Sequence, residues 1–505
     1  MESCVAIIVV LLLPSFLLLS ILRHHLLKNP GSPAAGKLPP GPIPAPVVGS
    51  LFKLGDQPHR SLAKLAATYG PLMSLRLGQV TTVVVSSAAM AKEVLQKHDQ
   101  SLAGRTVVDA VRVLGHDGAS MVWKEPGQRW RRLRTLCNTS IFSSQRLDAG
   151  EGLRRRKLEE LLAHVKNRAL SLKPVDIGKV AFVTVLNLIS NTVFSVDMVD
   201  IDSDEAQEFK DLVWEILEEA GKPNLVDFFP ILRTIDPQRI RRGMKTKLGK
   251  LHRVFGKQID DREISRSTSK HQRRNDFLDA LLDEKENAEL SRIELNALFT
   301  DLFVAGSDTS SVTVEWAMSE LLRNPESMAR ARTELDEVTG ERAEVEELDI
   351  PRLPYLQAVV KETLRLHPPV PFLIPHRAEC DVEIAGYTLP KHTKVIVNAW
   401  AIGKDGEVWE NPECFNPERF LGTSSNVDYR GRHFELIPFG AGRRICPGLP
   451  LAYRMVHLML ASLLRSFSWK LPALIVAHDL DMREKFGITL QKSTPLMAVP
   501  IPLHL

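Results

Sequence analysis

Cysteine is scarce in this chain: there are five in 505 residues, at positions 4, 137, 380, 414 and 446. They form no C-x-x-C pair and no metal-finger spacing, which argues against a disulfide framework and against a Cys-rich zinc or iron–sulfur site. The pattern suits a reducing compartment. Charge imbalance is slight as well. The formal net charge is +4 and dispersed, with no block of Lys and Arg, so no nucleic-acid partner is expected. Neither an internal repeat nor a second linker is visible. With 44% apolar and 25% charged residues, the composition is ordinary globular and can bury a large core. One large, mainly α domain with small β-sheets is the simplest organisation, although it exceeds the usual domain size.

Val5–Leu22 carries no charge, and Arg23, His24, His25 and Lys28 follow it. Its length at a helical rise gives roughly 27 Å, enough to cross a bilayer core. A cleaved signal peptide is the alternative, but the only charge ahead of the run is Glu2, where a basic start is wanted. Residues 1–28 are therefore expected to be a transmembrane anchor, and the basic flank places the rest in the cytosol. Residues 29–46 are too proline-rich for helix and read as a stiff linker. Residues 47–505 form the globular domain. Within it, Leu72–Ser86 predicts a hairpin about Gly78-Gln79, and Val382–Trp400 a second small sheet turning at Ala385-Gly386. Helical periodicity covers 151–165, 205–220, 240–266, 291–323, 355–367 and 449–465.

Phe434–Ala452 reads FELIPFGAGRRICPGLPLA and contains F-x-x-G-x-R-x-C-x-G: Phe439, Gly442, Arg444, Cys446 and Gly448. A chance match is on the order of one in ten thousand at ordinary residue frequencies. Glycines let the backbone turn tightly and approach a flat cofactor. A helix beginning at Leu449 points its N-terminal dipole at the sulfur and favours a thiolate. The alternative is a buried, inert cysteine in a Gly/Pro loop. KETLRLHPP holds Glu362 and Arg365 three apart on one helix face, a spacing that alone describes a surface ion pair. LFVAGSDTSS puts Gly306 inside an apolar helix, where glycine costs about 1 kcal/mol against alanine. Thr309 there can bond back to the Ala305 carbonyl and bend the helix. QRWRRLR places Trp130 and Arg134 on one face, which alone describes a basic surface with a half-buried tryptophan.

Taken in order along nearly the whole chain, these motifs resemble the cytochrome P-450 superfamily of haem-thiolate monooxygenases. The resemblance implies the cytochrome P-450 fold and haem b with Cys446 as axial iron ligand. It implies dioxygen as co-substrate and electrons from NADPH through a partner reductase. Asp308 and Thr309 match the acid–alcohol pair of the oxygen-binding helix. Glu362, Arg365 and Arg419, the last from NPERF, match a structural triad that supports the haem loop. Phe439 would shield the sulfur. Trp130, Arg134 and Arg444 match partners of the haem propionates, and either His376 or Arg377 from LIPHRAE joins them. Lys124, Arg131, Arg132 and Arg443 offer a basic proximal face for an acidic reductase domain, or a solvated surface. The pocket is expected between the loop Thr106–Ser120, Leu302 and Ala305, the stretch Val370–Ile374 with Phe372, and Phe486–Thr489 with Ile488 and Thr489. These positions are mostly apolar, so a small apolar substrate follows.

The chain is most similar to plant microsomal enzymes that hydroxylate terpenoids, especially monoterpene alcohols of the geraniol type. LPYLQAVVKETLRLHPPVPFLIP, NAWAIGKD and EKFGITLQK carry that likeness. It implies an endoplasmic reticulum membrane, a single pass, a cytosolic monomeric catalytic unit and an apolar specialised metabolite as substrate. Diterpenoid or alkaloid oxidation is the alternative. A haem-thiolate isomerase or dehydratase is disfavoured by Asp308-Thr309. A membrane-tethered thiol enzyme using Cys446 as nucleophile leaves Glu362, Arg365 and Arg419 unexplained, and a non-catalytic haem-binding scaffold is disfavoured by the same motifs.

Overall fold

A computed structural model describes residues 37–503 apart from the short stretches 269–272, 287–289, 423–426 and 473–474. The anchor 1–28 lies outside the described residues, as does the first part of the linker. The helices that build the site are α1 (Gln128–Cys137), α2 (Ile177–Phe194), α3 (Asp204–Gly221), α4 (Ile240–Thr268), α5 (Arg292–Arg323), α6 (Pro354–Leu366) and α7 (Leu449–Ser466). The strands are β1 (Leu72–Leu77), β2 (Val80–Val85), β3 (Gly104–Arg105), β4 (His376–Arg377), β5 (Lys394–Val397), β6 (Glu484–Phe486) and β7 (Leu490–Lys492). Helices dominate, and the sheets are small.

The central element is α5, whose start is fixed by a reciprocal capping box between Ser291 and Glu294. Such a box satisfies two of the amide donors that a helix start leaves open. From Leu295 to Leu322 the helix is buried on nearly every side, with polar residues such as Asp301, Asp308 and Glu315 inside the protein. It packs chiefly against α2, which is also buried along nearly its whole length and is predominantly apolar. The near-continuous apolar sequence of α2 leaves hydrophobic periodicity no contrast by which to reveal it. That helix is long and apolar enough to cross a bilayer, yet 83% of it is buried inside the protein, so it is a core helix.

The larger sheet has the order β1-β2-β5-β4-β3, with β1 and β2 antiparallel and β2 and β5 parallel. The expected second sheet over 382–400 is thus divided. Val382–Ile384 and Tyr387–Leu389 pair as a separate hairpin, β5 joins the larger sheet, and Ala399–Ile402 is a turn of helix. Crossover pairing of this kind joins segments far apart in sequence, and local alternation carries no record of it. The end of the linker is tied to the same sheet: Ser74 donates its amide to Pro40 at 2.8 Å and its hydroxyl to Pro39 at 2.6 Å.

Candidate active site

Between α5 and the loop that precedes α7 lies a cavity of about 350 Å³. Two walls define it. On one side, Ala305 is solvent-accessible although its neighbours Phe303, Val304 and Ser307 are buried, because its methyl faces the cavity. Thr309, one turn on, shares that face and donates its hydroxyl to the Ala305 carbonyl at 2.8 Å. Gly306 packs closely on the neighbouring helix: an added Cβ would meet Ile189 Cδ1 of α2 at 2.6 Å, so that methyl would have to move. Space for a bound ligand is therefore only part of its reason.

On the other wall stands Cys446. Its amide donates to the Phe439 carbonyl at 2.9 Å, closing the loop over Gly440 and Gly442. Gly442 has φ +66°, and a Cβ there would meet the Leu95 carbonyl at 2.2 Å, so only glycine fits. Burial pushes the Cys446 thiol up, and the amides of Gly448 and Leu449 with the Arg134 guanidinium oppose that. The sulfur nonetheless opens on the cavity. Phe439 lines the cavity too and packs on Tyr429 at 5.4 Å.

The rim is positive and poorly compensated. Arg105, Arg134, Arg444 and His376 all border the cavity. Burial, then Arg444 and Arg134, hold Arg105 well below the usual guanidinium range, and its Nε has no partner. Burial holds Arg444 down to about 10 and lowers Arg134 as well. His376 is likewise held well below the usual range, by burial and by Arg105. Several buried cations with an orphaned N–H describe a seat for a dianionic group. Several donors already serve the loop around them. Arg444 donates to the carbonyls of Ala103 at 2.9 Å and Lys124 at 2.7 Å, Trp130 to Met121 at 3.1 Å, and Arg134 to Ile445 at 2.5 Å. Arg444 also lies over the Trp130 ring at 4.5 Å. Strand alternation separates the two candidates of LIPHRAE. His376 faces inward, with Nδ1 2.7 Å from the Leu102 carbonyl, whereas Arg377 pairs with Glu125 at 2.8 Å and with Glu379.

Asp308 sits beside Thr309 in sequence but not on the cavity. It is buried against the β6–β7 hairpin, where Oδ1 accepts from Gln491 Nε2 at 2.5 Å. Burial pushes its carboxyl up to about 6, against the opposing influence of Thr489 and Gln491. Glu362 and Arg365 are fully buried and doubly bonded at 2.7 Å, and Arg419 Nε reaches Glu362 at 3.1 Å. Arg365 extends the network to the carbonyls of Gly403 and Pro412. This is no surface pair.

Of the expected pocket residues, Leu302, Ala305, Val370, Ile374, Ile488 and Thr489 border the cavity. Phe372 does not: it packs edge-on against Phe486 at 5.8 Å, beside the larger sheet. Sequence reading also passes over Arg105, which lies in a stretch without periodicity. It misses Ile189 and Thr192 of α2, Ile216 and Leu217 of α3, and Met244 and Leu248 of α4, which form the roof. Asp301 is a further omission, and a carboxylate one turn before Ala305 in an apolar helix was a visible signal. It accepts from Ser120 and from the Met121 amide at 2.7 Å each, and burial pushes it up to about 7. On the expected basic face, Arg132 pairs with Glu284 and Arg443 with Asp99, while Arg131 is exposed.

A profile of the family described as Cytochrome P450 matches residues 39–497. The chain belongs to the cytochrome P450 family. As a cytochrome P450 it is a haem-thiolate monooxygenase that uses dioxygen and electrons supplied by a reductase. Among its relatives are geraniol 8-hydroxylases from Catharanthus roseus and Swertia mussotii, 55% and 54% identical. Each of those matches covers 92% of this chain and 94% of the relative. Cytochrome P450 monooxygenase 76AD131 from Lophophora williamsii is 50% identical, over 94% of this chain and 96% of the relative. The cavity fits the haem that this family carries. A sulfur faces a small-residue helix wall across it, and unpaired cations border it where two propionates would lie.

Proposed function

We propose that this cytochrome P450 hydroxylates a small terpenoid alcohol of the geraniol type, anchored by residues 1–28 in the endoplasmic reticulum membrane with a monomeric, cytosolic catalytic domain. The observation that carries the reading is the largely apolar cavity between the Ala305–Thr309 face and Cys446. Its similarity to two geraniol 8-hydroxylases supplies the substrate class.

In this reading Cys446 would hold the haem iron through its sulfur. Arg105, Arg134, Arg444 and the inward His376 would hold the propionates, with Trp130 packed beneath the guanidinium of Arg444. Oxygen activation by iron under an electron-donating thiolate is the chemistry that haem brings. The chain's own part is to orient the substrate, exclude bulk water and deliver protons. Overall, R–H, dioxygen, NADPH and a proton become R–OH, water and NADP⁺. Asp308 and Thr309 manage the protons, and Glu362, Arg365 and Arg419 keep the loop of Cys446 in place. Arg131 and its basic neighbours receive the reductase. Apolar burial at about 25 cal/mol per Å² provides most of the affinity, and a single hydrogen bond of about 1 kcal/mol orients the hydroxyl.

The test uses the full-length chain in microsomes with reductase. Carbon monoxide on the reduced protein should give the far red-shifted Soret band of thiolate ligation, and Cys446→Ala should abolish it. Geraniol should shift the ferric spectrum towards high spin and yield an allylic alcohol only when NADPH is present. A spin shift and product from a tricyclic diterpene or a cationic alkaloid, with neither from geraniol, overturns the substrate. Product formed without NADPH points instead to an isomerase or dehydratase.

A further inference from the structure

Asp308 has an environment that its neighbour in sequence does not share. The β6–β7 hairpin is pinned to α5 by Trp316, whose indole donates to the Leu490 carbonyl at 3.2 Å. Strand alternation then turns Leu490 and Lys492 to one face and Gln491 to the other. Gln491 is half-buried and donates to Asp308 Oδ1. The other carboxylate oxygen, Oδ2, is buried without a partner, and so is the hydroxyl of Thr489, which stands beside it. Thr489 also borders the cavity. Asp308 therefore lies between a half-buried amide and a residue that borders the cavity.

The chemistry of the two partners is informative. A primary amide has donor and acceptor ends, and a hydroxyl is both donor and acceptor. Either can serve a carboxylate or, after rotation, a carboxylic acid. A lysine at 491 would hold the group as carboxylate, whereas an apolar residue would leave it unsolvated and favour the acid. The surrounding charges leave that balance open. Among the described residues, Lys210 of α3 is the charged group that acts on Asp308. Lys210 also faces Glu315, two turns along α5, together with Asp176 and Lys492. The Lys492 ammonium itself is turned away, onto the Asp481 carbonyl and the Trp316 ring.

We propose that Gln491 is a positioning residue for proton delivery: its amide cradles Asp308 in both protonation states, and Thr489 passes the proton from Asp308 into the cavity. The inference rests on the reading of Asp308 and Thr309 as the proton-managing pair. It adds that the route runs around α5 through the hairpin, from Gln491 to Asp308 to Thr489.

The experiment follows the Asp308 carboxyl by infrared difference titration of the resting ferric enzyme, with Asp308→Asn identifying the band. Gln491→Met removes the donor but keeps length and packing, so the midpoint should rise by about one pH unit. Gln491→Glu should raise it further, and Gln491→Lys should lower it by at least one unit. With geraniol and reductase, Gln491→Met and Thr489→Val should each cut product per NADPH at least threefold and enlarge the solvent isotope effect. The carbon monoxide band should stay as in the parent in both variants, and the spin shift should stay as in the parent in Gln491→Met. A midpoint that does not move across the Gln491 series overturns the proposal, as does parental product per NADPH in Gln491→Met. If geraniol is not turned over, the midpoints and the isotope effect on NADPH oxidation decide. Parental coupling in both Asp308→Asn and Thr309→Ala sinks the underlying pair instead, and that result is separate from the Gln491 series.

Discussion

Thr309 spends its hydroxyl on the Ala305 carbonyl one turn back, while its side chain stays on the cavity wall. That bond is local and easily exchanged, so the hydroxyl is available to a ligand at small cost. Thr309→Ala should retain the thiolate spectrum and divert NADPH electrons to hydrogen peroxide. Loss of one hydrogen bond of about 1 kcal/mol should lower product per NADPH roughly fivefold. An unchanged ratio reduces Thr309 to a residue that shapes the helix. At this scale the sequence is legible where chemistry demands a residue type at a fixed spacing, as at Cys446, Thr309 and Glu362. It is silent where a residue acts by position in space. Arg105 reaches the cavity because two-residue strands bring β3 beside β4, and nothing near Arg105 in the chain announces that. Phe372 shows the converse, an aromatic in the right stretch but turned towards the sheet.

The crossing of α2 and α5 sets the next scale. Gly306 touches Ile189, and Ile189 also borders the cavity, so the two helices and the pocket share one contact. Gly306→Ala gains about 1 kcal/mol of helix propensity but must push the Ile189 methyl aside. Stability should change little, while the geraniol-induced spin shift should weaken. Gly306→Val adds a branched side chain and should destabilise by about 1–3 kcal/mol through overpacking. Thermal loss of the carbon monoxide band and a spin-state titration distinguish these outcomes, and full substrate response in Gly306→Val contradicts the contact. Element boundaries were largely readable: 240–266 and 449–465 match Ile240–Thr268 and Leu449–Ser466 to within two residues. Periodicity found those helices because one face meets solvent or a neighbouring layer. It failed for α2, which has no polar face to contrast.

For the molecule as a whole, Glu362, Arg365 and Arg419 form a deeply buried ionic network. Glu362→Gln leaves Arg365 buried beside a neutral amide. Breaking a buried pair costs about 3–5 kcal/mol, so the holoenzyme should lose haem at markedly lower temperature. Survival of the parental melting profile rejects that structural role. Orientation in the membrane has its own reporter. Asn138-Thr139-Ser140 is an N-x-S/T acceptor, and Asn138 is exposed at the end of α1. A cytosolic domain keeps it bare, so a glycosidase-sensitive mass shift that Asn138→Gln removes would reverse the topology. The mainly helical class with small sheets was readable from periodicity and strand signals along the chain. The routing of 382–400 between two sheets was not, because strand partners are chosen by the packed core.

The cluster of Trp130 under Arg444, with Trp123 close by on the same cavity lining, has an optical consequence. Haem absorbs where indole emits, so a tryptophan beside it passes excitation to the cofactor instead of radiating. Trp130 and Trp123 should be dark in the holoenzyme, while tryptophans that do not border the cavity, such as Trp214 and Trp469, are less strongly quenched. Release of haem should therefore brighten the protein, and Trp130→Phe should remove part of that rise. Equal brightening in the variant would place Trp130 outside the reach of the cofactor, and the fluorescence trace would then report haem occupancy through other residues alone.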